Sequence, residues 1–306
     1  MFNINKIAVI CGGSSSEREI SLKSGEAIHG ALMNLGFRSE IFDFNKLNNL
    51  ENLQSFDKVF IALHGHEGEG GKLQENLESL NIDYTGSNFK GCKNTWNKEI
   101  CKNILNENNI RTPNAVSTNL LDNFNKNPFD EFQNKYGYSS NLFMKPAEDG
   151  SSIDIFKLIN NNDFLHAKKS IKDSKRNFIF EEEIVGKEFT VSVINNNCLP
   201  PIEIKTENDF YDYDAKYISE STNLIQARLN QQELSEINEI SLNAFHSLGC
   251  KNWARVDFLQ DLDGKFYVIE INTVPGMTSH SCVPKSGSFL GWSYESVVME
   301  ILNINE

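Results

Sequence analysis

Between Lys6 and Cys11 the chain is a short apolar run that ends on Gly12 and Gly13. The apolar positions that follow, Ile20, Ile28, Ala31, Leu32 and Leu35, recur at helical spacing. Strand, glycine loop and helix are therefore predicted in that order. Further runs at Arg38–Asp43 and Lys58–Leu63 predict two more strands, and Gly71–Leu80 a helix. Alternation of this kind builds a small open parallel sheet. The sequence character changes near Gly91–Lys98, where a helical stretch runs to about Asn108. It stops before Pro113, whose ring disfavours helix at Thr112.

From Leu142 onward the apolar runs at Phe143–Met144, Phe178–Phe180, Phe189–Ile194, Trp253–Leu259 and Phe266–Ile271 read as strands. Gln231–Leu248 is the clearest long helix. Asparagine-rich stretches at 121–128, 160–162 and 195–197 read as surface connections. No internal repeat is present, which argues against solenoids and propellers. The expected architecture is α/β followed by α+β, divided at residues 1–97, 98–186 and 187–306.

A chain of 306 residues exceeds one ordinary domain and has enough core to need no covalent staples. Its 29 basic and 42 acidic residues leave a net charge of −13, a poor match for nucleic acid or for an anionic membrane. A small-molecule partner is favoured, and a polyanion would have to be gripped by a few lysines inside a cleft. The six cysteines lack CxxC spacing and read as reduced thiols. The amino terminus has no signal-peptide h-region, and the chain has no span of about 20 apolar residues. Cytoplasmic residence is expected.

Two strands near the carboxyl end carry the strongest chemical pattern. Arg255 and Asp257 alternate in one, Glu270 and Asn272 in the next, with the turn Asp261–Gly264 between them. Residues two apart in a strand share a face, so a hairpin would aim all four at one cleft. Carboxylates and an amide oxygen are hard ligands suited to magnesium, and an arginine beside them would grip phosphate or an oxyanion. An ordinary hairpin with a solvated face carries the same alternation. Pro275 and Gly276 enforce a turn, with Ser279 and Ser281 close behind, and a glycine amide there can approach an oxyanion.

Lys145 stands at a strand end before the loop containing Gly150, Ser151 and Ser152. Backbone amides of such a loop can close over phosphates, although the P-loop pattern is absent and a solvated loop is equally compatible. Glu181, Glu182 and Glu183 end a strand before Ile184, Gly186 and Glu188, as an interdomain connection or a charged strand end would. Ser16 and Glu19 satisfy a capping box, which leaves Glu17 to meet an ammonium group. His64 and His66 are a weak metal pattern, and His64 is expected to line a substrate cleft at a strand end.

In series, GGSSSEREISLKSG at 12–25, ALHGHEGEGG at 62–71, YTGS at 84–87, FYDYDAKY at 210–217, RVDF at 255–258 and EINTVPGMTSHS at 270–281 resemble the D-alanine–D-alanine ligases. The resemblance covers nearly the whole chain. It implies an ATP-grasp fold of three lobes, beginning with a small parallel-sheet domain, and ATP held between the central and carboxyl-terminal lobes. The implied activity joins two D-alanine molecules through a D-alanyl phosphate, for peptidoglycan precursors. The alternatives are another ATP-grasp carboxylate–amine ligase or a non-catalytic nucleotide-binding protein.

By matching motif, the resemblance implies that Glu17 holds the ammonium of the first D-alanine with His64 nearby, and that Ser151 and Tyr217 join Glu17 in closing the site. Lys98, Lys145 and Lys216 would contact ATP phosphates, Glu181, Glu182 and Ile184 would flank adenine, and Glu188 would accept from ribose. Asp257, Glu270 and Asn272 would hold two Mg2+ ions, with Mn2+ as a substitute. Arg255 and the Gly276 amide would stabilise the oxyanion, and Ser281 would bind the second D-alanine. Tyr217 favours the dipeptide over a depsipeptide product, and a homodimer is implied. This chain departs from the family at Gly70, Asp154 and Cys282. Asp154 is expected to add negative charge near the phosphate loop, and Cys282 to be sensitive to thiol reagents if exposed.

Overall fold

The computed structural model describes residues 5–150, 153–205 and 223–303. Strands β1 (Lys6–Cys11), β2 (Arg38–Asp43) and β3 (Lys58–Ile61) form a parallel sheet in the order β2-β1-β3. The expected third strand runs two residues too long, because β1 turns away at Gly12, which is in the left-handed region at φ 83°. Alternation along β1 sends Ile7, Val9 and Cys11 to one core cluster and Ala8 and Ile10 to another.

Helix α1 (Arg18–Asn34) covers the first face with Ser21, Ser24, Gly25, Ile28, Ala31 and Leu32, one stripe of a 3.6-residue repeat. It approaches closely because Gly25 has no side chain: a Cβ there would lie 2.6 Å from the Cys11 Sγ. The expected capping box does not form. The helix starts one residue later than that pattern needs, with Glu17 at the cap and no side-chain cap bond. Glu19 thus falls at the second helical position, not the third, and the Ser15 hydroxyl accepts from the Glu17 amide at 3.2 Å instead.

After α2 (His66–Glu69) and α3 (Lys72–Ser79), the predicted single helix to Asn108 is two, α4 (Phe89–Trp96) and α5 (Lys98–Glu107). Asn97 breaks it. Its backbone is extended at φ −90° and ψ 110°, and its side chain caps α5 by accepting from Glu99 and Ile100. The break brings the Lys98 amide to the Ala147 carbonyl at 2.8 Å.

Strands β4 (Ala115–Ser117), β5 (Leu142–Pro146), β6 (Phe156–Leu158) and β7 (Phe178–Glu182) make an antiparallel sheet in the order β4-β7-β5-β6. Helices Pro128–Tyr136 and Asn161–Ser170 pack Phe132, Phe164 and Ala167 onto it. Two of the asparagine-rich connections prove to be helix starts. Asn127 and Asn160 are N-caps, the latter in a full capping box with Asp163.

The third sheet contains β8 (Gly186–Ile194), β9 (Asn197–Cys198), β10 (Ile202–Lys205), β11 (Asn223–Gln226), β12 (Trp253–Asp261) and β13 (Phe266–Asn272). Its order is β11-β10-β8-β12-β13, antiparallel throughout, with β9 beside β8. Asn195 and Asn196, at φ 49° and 62°, make the β8–β9 turn, as expected of a surface connection. Helix Gln231–Ser247 buries Ile237, Ala244 and Phe245 against the apolar side of this sheet. Full burial of side chains such as Ile237 and Phe245 contributes roughly 1.5–3 kcal/mol each. Helix Tyr294–Leu302 then returns to the first lobe, where Val297, Val298 and Ile301 join the cluster of Ile7, Val9, Ile28 and Leu32. Among the described residues no helix is long and apolar enough to cross a membrane.

Candidate active site

Register decides which side chains meet. Arg255 lies opposite Asn272 and Asp257 opposite Glu270 across β12 and β13. On the other flank, β8 sets Ser192 opposite Arg255, Thr190 opposite Asp257 and Glu188 opposite Leu259. Directly paired residues share a face, so Glu188, Thr190, Arg255, Asp257, Glu270 and Asn272 form one polar surface. Val191, Val256, Phe258 and Ile271 take the opposite, buried one. A bulge follows Asp257, where the register shifts. Bulges re-aim side chains, and this one ends the run of polar pairs.

Asp257 is held tightly. Arg255 donates to it from Nε at 2.8 Å and from Nη2 at 2.7 Å, and the Thr190 hydroxyl donates at 2.6 Å. A carboxylate offers about four lone-pair sites, so Oδ2 keeps room for one further partner. Two carboxylates and an amide oxygen in this register are the donor chemistry a hard divalent cation takes. Among the described residues no group of three or more His, Cys, Asp or Glu gathers as a metal site, so a cation here needs Asn272, water or substrate oxygens as well.

A cavity of about 670 Å3 opens beside this surface. Arg255, Glu270, Asn272, Gly276 and Ser281 line it from the carboxyl-terminal lobe, Glu17 and His64 from the first lobe, and Lys98 and Gly150 from the segments between. Glu17 is 8% exposed, in the turn between β1 and α1. A Cβ on Gly150 would come within 3.1 Å of its carboxylate, so the glycine lets the loop after β5 approach. Ser281 accepts from the Thr278 amide at 3.0 Å, and a Cβ on Gly276 would lie 2.9 Å from the Ser281 Oγ.

His64 is a wall of the cavity whose two ring nitrogens both face protein. Nδ1 is 2.8 Å from the Val274 carbonyl and Nε2 is 3.1 Å from the Ser24 hydroxyl. Burial pushes its pKa below the usual histidine value, against the pull of Glu17. Glu69, which the sequence reading did not single out, also lines the cavity. It accepts from the Gly65 amide at 2.9 Å, and burial, then the Glu17 charge, pushes its carboxyl well above the usual range.

Of the described residues expected around the nucleotide, Lys98 lines this cavity, whereas Lys145 on β5, Glu181 and Glu182 on β7, Ile184 after it and Glu188 on β8 are not among its lining residues. Glu181 is buried between Lys145, which donates to Oε1, and Lys102, 2.6 Å from Oε2. Burial alone would raise its pKa, but Lys102 and Lys145 outweigh it and hold the carboxyl down to about 2. Lys102 was missed in the sequence. It also donates to the Thr112 hydroxyl and the Pro113 carbonyl, both at 2.9 Å. Glu182 accepts from the Asn114 amide at 2.7 Å and from the Tyr138 hydroxyl. Ile184 sits in the connection from β7 to β8, and Glu188 on β8. Lys98 donates to the Asp149 carbonyl at 2.7 Å.

Ser151, Lys216 and Tyr217 lie outside the described residues. The charge expected at Asp154 is met by Arg176, which pairs with Asp154 and, at 2.7 Å, with Asp149. Asp154 has φ 54°, the left-handed conformation that glycine adopts most readily. Cys282 is buried, 5% exposed.

A family model described as D-ala D-ala ligase C-terminus matches residues 110–303, and one described as D-ala D-ala ligase N-terminus matches residues 37–87. The D-alanine–D-alanine ligase of Saccharophagus degradans is 39% identical over 302 residues, covering 98% of this chain and 94% of the relative. Among solved structures, the D-alanine–D-alanine ligase of Bacillus anthracis complexed with ATP superposes with a TM-score of 0.84 at 30% identity, over 97% of this chain and 96% of that one. The VanG D-Ala:D-Ser ligase of Enterococcus faecalis superposes with a TM-score of 0.82 at 26% identity, over 98% of this chain and 99% of that one. With both family models matched in order and full-length likeness in sequence and fold, the chain belongs to the D-alanine–D-alanine ligase family, an ATP-grasp enzyme family.

Proposed function

We propose that this protein joins two D-alanine molecules to D-alanyl-D-alanine with consumption of ATP, supplying a peptidoglycan precursor. The observation that carries this reading is the cavity itself. It puts Glu17 of the first lobe opposite Arg255, Gly276 and Ser281 of the last, with the acid-lined strands β12 and β13 at its wall.

The carboxylate of the first D-alanine attacks the γ-phosphate of ATP, giving D-alanyl phosphate and ADP. The amine of the second then attacks the acyl carbon, and inorganic phosphate leaves. Neither step needs a nucleophilic side chain, and both need charge neutralised where it develops. Glu17 holds the first ammonium, Arg255 and the Gly276 amide face the tetrahedral oxyanion, and Ser281 takes the carboxylate of the second amino acid. Lys98 and Lys145 face ATP phosphates, joined by Lys216. Glu181, Glu182 and Ile184 flank adenine, Glu188 takes ribose, and by motif matching alone Ser151 and Tyr217 would join Glu17 in closing the site.

Asp257, Glu270 and Asn272 would hold two magnesium ions, for which manganese substitutes, and bound there the ions neutralise phosphate charge. In this reading the lobes divide at 1–97, 98–186 and 187–306, and the enzyme works in the cytoplasm as a homodimer. Incubation with ATP, magnesium and D-alanine tests the function. Phosphate release with dipeptide detected by mass spectrometry is expected. Turnover only with D-serine or D-lactate as acceptor overturns the assignment, and ATP binding without phosphate release overturns the enzyme reading.

A further inference from the structure

Gly276 and Ser281 belong to the carboxyl-terminal lobe, yet the loop that carries them is fastened from the amino-terminal one. Ser24, on α1, is 0% exposed and receives the Met277 amide proton on its hydroxyl oxygen at 3.1 Å. The same hydroxyl stands 3.1 Å from the His64 Nε2, and His64 Nδ1 stands 2.8 Å from the Val274 carbonyl.

Donor and acceptor chemistry orders this chain in one direction. A carbonyl only accepts, so Nδ1 carries a proton. A buried imidazole kept neutral then has a lone pair on Nε2, which takes the Ser24 hydroxyl proton. Met277 N–H donates to Ser24, Ser24 donates to His64, and His64 donates to Val274. The two ends land on either side of Gly276, at positions 274 and 277. His64, Val274 and Met277 are all 3% exposed or less, so water does not compete for these bonds.

Resting on the ligase reading above, we propose that Ser24 is a positioning residue that acts through His64. It sets the Gly276 amide and Ser281 for attack by the second amino acid. The first lobe, which receives the first D-alanine, thereby shapes the acceptor side built by the last lobe. Removing the hydroxyl strands two buried partners, the Met277 amide and the His64 Nε2, and the cheapest relief is movement of the 274–278 turn. A displacement of about 1 Å at a reacting centre costs on the order of a hundredfold in rate.

The test is Ser24→Ala, assayed beside wild type with saturating ATP and varied D-alanine. Dipeptide formation, as kcat/KM for the second D-alanine, is expected to fall about 10- to 100-fold. Positional isotope exchange in labelled ATP, which reports D-alanyl phosphate formation, and ATP affinity by calorimetry should stay within about twofold of wild type. A purely structural defect would lower all three together, and that result overturns the proposal. So does unchanged kcat/KM for the second D-alanine. Ser24→Cys fills the same space with a weaker donor, and carries the same comparison should the alanine variant not fold. In a double-mutant cycle with His64→Gln, the two losses should be strongly non-additive; additive losses refute action through His64. If wild type itself forms no dipeptide, the ligase reading fails, a result distinct from failure of the Ser24 comparison alone.

Discussion

Asp257 and Glu270 face each other in direct register across β12 and β13, immediately before the bulge that shifts the pairing. This places two carboxylates of the polar sheet face side by side, with Arg255 bonded to one of them. Like charges opposed across a pair of strands are destabilising unless a cation joins them. Magnesium should therefore raise the melting temperature of the wild type, and Glu270→Ala should lose that response. The same variant should lose turnover by on the order of a thousandfold, the upper range for removing preorganised charge stabilisation. A variant that keeps both the magnesium shift and the rate would reject the ligand assignment.

Arg255 bonds Asp257 through two nitrogens and lines the cavity. Arg255→Ala should reduce kcat by about two to three orders of magnitude, as loss of an oxyanion donor does. Arg255→Lys should recover little of this, because a point charge does not reproduce the two-nitrogen contact. Steady-state kinetics on both variants decide the matter, and wild-type rates in the alanine variant would refute the role.

The buried Lys102–Glu181–Lys145 set predicts an acid dependence. The Glu181 pKa is about 2 in the folded chain against 4.5 in its absence, so its share of stability is present above pH 4.5 and is lost as the pH falls toward 2. Lys102→Met should cost about 3 kcal/mol at pH 7, the low end for removing one partner of a buried pair, since Lys145 still faces the carboxylate. It should also flatten the decline in stability between pH 4.5 and 2. Urea unfolding at a series of pH values measures both. An unchanged acid limb would show that this set does not govern it.

Gly68 packs where a Cβ would lie 1.7 Å from the Leu63 carbonyl oxygen. That oxygen is backbone and cannot swing aside. Gly68→Ala should destabilise by about 1–3 kcal/mol or more by overpacking. Because α2 carries Glu69 and follows His64, activity should fall further than stability does. Thermal melts paired with dipeptide assays check this, and an alanine variant equal to wild type in both would contradict the packing.

Much of the scaffold could be read locally. The bounds of β1 and β2 follow from short runs in the sequence, and the shared face of Arg255, Asp257, Glu270 and Asn272 from period-2 alternation within single strands. What escaped reading depends on contacts between distant segments. Thr190 meets Asp257 only through the β8–β12 register, 67 residues apart in sequence, and Lys102 on α5 meets Glu181 on β7 through a long-range ion pair that no local pattern announces. The break at Asn97 and the caps at Asn127 and Asn160 were misread for a different reason. Asparagine serves turns and helix starts alike, and composition does not separate them. The failed capping box at Ser16 and Glu19 shows how a one-residue shift of a helix start cancels a valid motif.

The helix Tyr294–Leu302 lies in the same apolar cluster as β1 and α1. On the ribosome, β1 and α1 emerge before the two other sheets, and their covering helix emerges after them. Until then the nascent first lobe displays Ile28 and Leu32 with part of their partners missing, a sticky surface that invites chaperones during translation. A helix made later than both other sheets thus seals the lobe that precedes them.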